Sequence, residues 1–558
     1  MRFSWFKYQW YKCLIFIFIF SLIFSQDQTV GLFINDSASS VGYTLFTPLF
    51  STSTYLIDNN GLLVHEWESD YHPAMTAYLL ENGNLIRTAS FVEQRIHLGG
   101  FEEFTWDGTV IWKYEYFGQH HDIEPLPNGN VLMLTTEIKT YSEAIESGRN
   151  PEFLDDELYI LKVIEIEKTD SLSGNIVWEW SVWDHLIQDY DPAKLNYGLV
   201  ADHPELVDIN YVTYSMTYTD WIHSNSIDYH PELDQILVSS RAFNEIWIID
   251  HSTTIEEAAG HEGGNAGFGG DLLYRWGNPY SYGAGASDNQ MFYGQHDARW
   301  IDTSLAESGS ITVFNNGLGR PEGGYSSVEE LTLPVDSLYN YFLIPDSVYG
   351  PVEPSWIYVA DAPFDFFSPM YSSAQRLSNG NTLICSSTGG EFFEVTEDGT
   401  IVWRYINPVS FDEPLFQGDS VLLGNTVPRC YRYGVDYGGF NGHDLTPGGP
   451  IELYLNISDK LETKLPRYFR LYRCYPNPFN PSTNIKYDLP IRSHVSVVIY
   501  DILGKEVKRL VNIVQEPGNK SVSWNGTDNF GNPLSAGVYL YQIRSGEFLQ
   551  TKKMVLLK

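Results

Sequence analysis

The sequence predicts an all-β protein: a six-bladed β-propeller followed by a small immunoglobulin-like β-sandwich. Three observations carry this. Aromatic residues make up 15% of the 558 residues, with 15 Trp, 38 Tyr and 31 Phe, and aromatic side chains suit pleated, half-buried strands. Asn-Gly and Asp-Gly turns followed by short apolar strands recur through the first 460 residues. Beyond residue 460 the charge balance inverts, which marks a separate module.

The first 25 residues read as an export signal. Arg2, Lys7 and Lys12 precede an apolar run at 14–24, and a small residue, Ser25, follows. Eleven apolar residues are too few to span a bilayer, which takes about 20. No later apolar run approaches that length, so no membrane insertion is expected after processing. Cys13 falls within this segment. Cys385, Cys430 and Cys474 remain, an odd number without CxxC spacing, which admits one disulfide and does not support a thiolate zinc site.

Residues 26–460 carry the repeats. One theme is an asparagine-glycine turn leading into a strand, at 81–86 (ENGNLI), 127–132 (PNGNVL) and 378–383 (SNGNTL). The other ends a strand on tryptophan, at 62–67, 106–112, 174–178, 270–276 and 397–403. Asn-Gly and Asp-Gly favour tight hairpins because both central positions tolerate positive φ. Hairpin units of 40–60 residues point to propeller blades, and six are counted, near 43–67, 72–117, 119–180, 221–277, 293–360 and 371–407. Longer inserts are expected at 140–157, 184–220, 252–268 and 319–353. The Gly-rich stretch 260–270 reads as a surface excursion, and without GxxxxGK[ST] there is no phosphate loop.

The last block, 472–558, opens on prolines that fix φ and remove donors. Alternating strands are expected at 484–489, 495–500, 520–524, 537–544 and 549–557, punctuated by glycines, as in a sandwich. Residues 460–558 hold 15 Lys+Arg and 7 Asp+Glu, whereas residues 26–459 hold 16 and 64. The overall charge of −37 disfavours binding to nucleic acid, which needs Lys and Arg against phosphate.

A blade scaffold does not specify function; the histidines bear on it. There are 14, and His120-His121-Asp122, His223 and His296-Asp297 each stand where an inner strand is expected to begin, with Arg241 on the strand beside His223. Inner strands surround a channel, so these residues converge. Three readings follow from the residues. Each His-Asp pair is a blade-packing hydrogen bond; or imidazoles and carboxylates hold a metal, against which stand Arg241 and the lack of short HxH spacing; or three imidazoles and a guanidinium hold a tetrahedral oxyanion, with one histidine as nucleophile.

At these residues the chain resembles the bacterial arylsulfotransferase family. The stretches that carry the resemblance are HHDIEPLPNGNVL, WSVWDHL, DWIHSNSIDYHPELDQILVSSR, LLYRWGNP, QHDARWI, GSITVFNNG and GFNGHDLTPG, over roughly residues 60–445. The resemblance implies a six-bladed propeller that moves a sulfuryl group from a phenolic sulfate donor to a phenol acceptor, with no nucleotide and no cofactor. It implies that His296 is the nucleophile, forming a sulfohistidine. His223 and Arg241 would bind the sulfuryl oxygens, and His121 would bind substrate or assist the leaving phenoxide. A register error of one residue exchanges His121 with His120. Asp297 stands where the family often has a small residue, and a carboxylate there would raise the pKa of the nucleophile while Arg241 lowers it. A non-catalytic surface-binding propeller and a metal-dependent lyase or hydrolase are the alternatives. Surface charge acts over about 8 Å at physiological salt, so a His/Arg channel inside an acidic shell still attracts an anion.

The tail has its own resemblance. YPNPFNPSTNIKYDLP, YDILGKEV, WNGTD and SAGVYLYQI are similar to the C-terminal sorting domain of type IX secretion cargo. That implies export through the periplasm to the surface or exterior of a Gram-negative bacterium, with the secretion machinery as partner.

Overall fold

The computed structural model describes residues 28–91, 99–212, 219–336, 340–341, 343–344, 348–419, 424–454, 469–472, 474–546 and 548–557. The expected export signal lies outside the described residues. The chain divides into two units, Met1–Leu453 and Tyr454–Lys558.

The first unit is a ring of six antiparallel sheets, each named here as a blade in chain order. Blade 1 contains Gly42–Phe46, Ser53–Asp58 and Leu63–Glu68, and its innermost strand is Cys430–Gly434 from the far end of the unit. Blades 2 to 5 start from inner strands Pro73–Leu79, Gln119–Pro125, Ser224–His230 and His296–Trp300. Blade 6 runs from Ser373–Arg376 to Ile401–Ile406 and gains Gly31–Asn35 as a fifth, outer strand. The ring is therefore closed twice, by both ends of the unit. The six sequence units coincide with the blades. Neither closing strand was legible, because each is a five-residue run without a hairpin partner next to it in sequence. The stretch 319–353, expected as an insert, contains the third strand of blade 5, Ser327–Thr332.

The tryptophan theme has a structural cause. Trp67, Trp112, Trp180, Trp276, Trp356 and Trp403 stand on the fourth strands, counted from the axis, of blades 1 to 6. Each indole N–H donates to a backbone carbonyl of the next blade: Thr105, Ser173, Gly270, Pro351, Glu397 and, closing the circle, Asn59, at 2.7–3.2 Å. The apolar ring fills the interface while its one donor is satisfied. A second circle lies at the axis. Asp122 of blade 3 accepts from the Ile227 amide, Asp228 of blade 4 from Trp300 and Asp297 of blade 5 from Ala374. Tyr433 of blade 1 accepts from the Leu79 amide. Neighbouring blades are thus held at both rim and hub.

The second unit has a three-stranded sheet, Arg470–Leu471, Thr483–Leu489 and Gly518–Trp524, and a four-stranded one, Ser493–Asp501, Glu506–Gln515, Gly537–Ser545 and Phe548–Leu556. Ile485, Tyr487, Val497, Trp524, Tyr541 and Ile543 form the core between them. Strand Glu506–Gln515 escaped the sequence reading because it is an edge strand with no buried residue, so its apolar positions do not alternate. Cys385, Cys430 and Cys474 are buried free thiols.

Candidate active site

The inner strands begin at one face of the ring, and four of them enter through unusual backbone. His121, His223, Asp297 and Tyr371 have φ of 57°, 47°, 50° and 54°, and Ser372 has 86°. None is glycine, so each position is sterically costly and is held by its surroundings. The ladder also skips residues between Ser224 and Ser226 and between His296 and Arg299. Such bulges turn side chains away from the regular alternation, here toward the axis.

His121, His223, Arg241 and His296 are brought together there. The His121 and His223 rings meet edge to face, 5.0 Å between centroids. His223 Nδ1 lies 2.5 Å from Asp220 Oδ2, so its N–H donates to the carboxylate and Nε2 is left for the channel. Burial of Asp220 works the other way, but the hydrogen bond and charge of His223, with His120 and Arg241 behind them, hold its carboxyl below the usual range. Arg241, in the turn between two blade 4 strands, stands close enough to Gly294 that a Cβ there would lie 3.8 Å from its guanidinium. His120 is not exchanged for His121 but joined to it: their Nδ1 atoms are 2.9 Å apart, and His121 is the more buried and the one against His223.

His296 is the most constrained of the set. Its Nδ1 lies 2.7 Å from Asn316 Oδ1 and 3.0 Å from the Gly294 carbonyl. Asn316 cannot flip, because its amide N–H groups donate to the carbonyls of Ser368 and Tyr371 at 2.7 and 2.9 Å. Its oxygen must therefore face the ring, Nδ1 carries the hydrogen, and Nε2 holds the lone pair. The Tyr371 amide is 3.3 Å from that Nε2. Burial, and then the charge of Arg241, pushes the His296 pKa well below the ordinary 6.5, against the Asn316 hydrogen bond; His223 and Arg429 add to the depression. The ring is neutral at neutral pH.

Asp297, next to His296 in the chain, is engaged elsewhere. Its side chain points down the channel, where Oδ1 accepts from the Tyr431 hydroxyl at 3.0 Å and pairs with Arg429 at 3.1 Å. The aspartates thus make blade-packing hydrogen bonds, and His296 accepts one from the Tyr371 amide of blade 6. Arg429 escaped the sequence reading. It reaches from blade 1 across the channel to Asp122 at 2.7 Å, Asp297 and the Asn225 carbonyl at 2.7 Å, forming a cationic floor beneath the histidines. Nothing in a lone "PRC" tripeptide signals this. Asn225 also reaches the site: its amide donates to the Gln295 carbonyl at 2.7 Å, and its Oδ1 is buried without a partner. Below Arg429, Arg299 pairs with Asp228 above a cavity of about 270 Å³ at the opposite mouth, lined by His230, Trp300, Arg376 and Tyr433. That cavity lies at the other end of the channel from the histidines.

The arrangement offers one neutral, oriented imidazole lone pair, two further imidazoles and a guanidinium, over a second buried guanidinium. It is suited to an anionic tetrahedral group. The family described as arylsulfotransferase matches residues 29–410, and the FlgD Ig-like domain matches residues 480–547. An arylsulfate sulfotransferase of Lelliottia amnigena is 31% identical over 185 residues, 32% of this chain and 29% of that protein. That of Escherichia coli O6:H1 is 24% identical over 320 residues, 52% of this chain and 50% of that protein. The chain thus spans at most about half the length of these curated relatives. A crystal structure of a protein of unknown function from Bacteroides caccae, 12% identical, covers 71% of this chain and 99% of its own, with a TM-score of 0.38.

Proposed function

The chain belongs to the arylsulfotransferase family, and from that premise we propose that it moves a sulfuryl group from a phenolic sulfate ester to a phenol through a sulfohistidine on His296, without a nucleotide. The observation that carries this reading is the fixed tautomer of a buried neutral His296, whose Nε2 accepts only a long contact from the Tyr371 amide at 3.3 Å and feels the charges of Arg241 and His223.

In the first half-reaction Nε2 attacks sulfur, the S–O bond to the aryl group breaks, and the phenoxide leaves with the bonding pair. Phenols have a pKa near ~10, so protonation assists departure, and His121 supplies that proton. His223 and Arg241 hold the non-bridging oxygens, over which charge is spread in the transition state. The sulfurylated ring keeps its Nδ1 hydrogen, because Asn316 is a neutral acceptor that does not remove it. The ring is then cationic, and the S–N bond stays weak. In the second half-reaction an acceptor phenol gives its proton to His121 and attacks sulfur, and the pair returns to Nε2. No electrons are exchanged and no cofactor is needed.

The test is transfer from 4-nitrophenyl sulfate to phenol by the purified propeller, without nucleotide. The His296→Asn variant is expected to fold and to be inactive. Normal activity in that variant would overturn the nucleophile assignment.

For the tail we propose a type IX secretion sorting role, supported by the PNPFNPST opening and by a compact sandwich with its own core. Among the described residues no helix is long and apolar enough to cross a membrane.

A further inference from the structure

The Gly-rich insert of blade 4 ends on a side-chain cluster that sulfuryl transfer does not use. His185 follows the outer strand of blade 3. Its ring is fully buried and lies parallel to the Trp180 indole, 5.6 Å between centroids at 4°. His261 and Asp271 belong to the insert. Asp271 Oδ1 is 2.8 Å from His185 Nδ1 and 2.7 Å from His261 Nδ1, and one ligand atom from each of the three residues lies within 4.8 Å of the other two.

The second nitrogen of His185 is also engaged. His185 Nε2 is 2.8 Å from the Ala258 carbonyl. A carbonyl only accepts, so Nε2 carries the hydrogen. His185 Nδ1 therefore faces the carboxylate oxygen with Nε2–H turned away from it, the orientation of a metal-ligating ring. A ligating histidine characteristically donates its other N–H to a carbonyl, as His185 does. Two imidazoles from different blades converge on one carboxylate oxygen. The backbone is closed around them: a Cβ on Gly270 would sit 2.0 Å from the Ala258 oxygen and 2.7 Å from His185 Nε2. The His261 side chain is 61% exposed, which leaves one side of the cluster open to water.

We propose that His185, His261 and Asp271 bind one divalent ion of borderline softness, zinc by preference, with water as fourth ligand. Two imidazole nitrogens and a carboxylate suit zinc at about 2.0–2.2 Å. Binding needs the three atoms to spread slightly from hydrogen-bond contact, which the exposed His261 allows. The ion fastens the insert of blade 4 to blade 3 beside the Trp180 to Gly270 contact at the rim. The site is independent of the axial histidines.

The experiment is calorimetric titration of the chelator-treated, dialysed full chain with Zn²⁺, together with thermal unfolding with and without the ion. The wild type is expected to bind one equivalent and to gain thermal stability. His261→Ala, at an exposed side chain that leaves folding intact, and Asp271→Asn are each expected to weaken binding by at least about tenfold and to lose that gain. His296→Asn is expected to bind as the wild type does. Absence of saturable binding, binding unchanged in both His261→Ala and Asp271→Asn, or binding lost in His296→Asn would each overturn the proposal.

Discussion

Replacing Arg429 by methionine tests the floor of the site. The guanidinium is nearly buried and the carboxylates of Asp122 and Asp297 are fully so. The substitution removes both ion pairs, at 2.7 and 3.1 Å, and the hydrogen bond to the Asn225 carbonyl. The methionine fills much of the volume, so the cost is electrostatic. Stripping one partner from a buried pair costs about 3–5 kcal/mol, because the remaining charge is uncompensated. The loss must depend on pH. Burial already pushes the Asp297 carboxyl up, with Arg429 the largest opposing influence; without Arg429 it rises further. A carboxyl whose folded pKa exceeds its unfolded one binds more protons when folded, so stability falls as pH rises through that range. The deficit of Arg429→Met relative to wild type is therefore larger near about pH 8 than near about pH 5. Urea unfolding followed by tryptophan fluorescence reads the propeller, since Trp524 is the only tryptophan in 454–558. A deficit below about 1 kcal/mol, the range of a surface pair, or one equal at both pH values, would refute the account of Arg429 as a buried counter-charge.

Other consequences concern catalysis and export. Because His296 is held well below 6.5 by burial and Arg241, and the neutral ring is the nucleophile, kcat/KM should lose activity only well below that pH. In Arg241→Gln the acid limb should move up toward it, and a pH–rate profile with an unmoved limb would count against the role of Arg241. Asn316→Asp places a carboxylate against Nδ1 and stabilises the cationic sulfurylated ring, so the second transfer should slow more than the first. Stopped-flow release of nitrophenol should then show a burst followed by slow turnover, and equal slowing of both phases would contradict the role of the neutral amide. Deleting residues 472–558 should leave folded propeller in the periplasm, as fractionation would show; unchanged export to the surface would refute the sorting role.

Local features were legible in the sequence for definite reasons. Asn-Gly and Asp-Gly turns fix hairpins by φ alone, so the six units could be counted. Five strands ending on tryptophan signalled a repeated packing need, though only the ring shows the sixth, Trp356, and that each indole donates to the next blade. The axial histidines were legible because each precedes an inner strand and inner strands share an axis. Where Asp297 reaches was not legible, because chain adjacency to His296 says nothing of direction: with left-handed φ at that residue its carboxylate meets Tyr431 and Arg429.

By itself the sequence determined the number of blades, the separate sandwich and that histidines of three blades share an axis, since these follow from local turn chemistry and strand periodicity. Only the tertiary structure decided the closing strands, the Arg429 floor, the orientation of Asn316 and therefore the tautomer of His296. Those depend on groups far apart in sequence: 20 residues for Asn316 and His296, 307 for Arg429 and Asp122, and more for the closing strands. Their energies exist only where burial removes water and the ring brings the charges within reach.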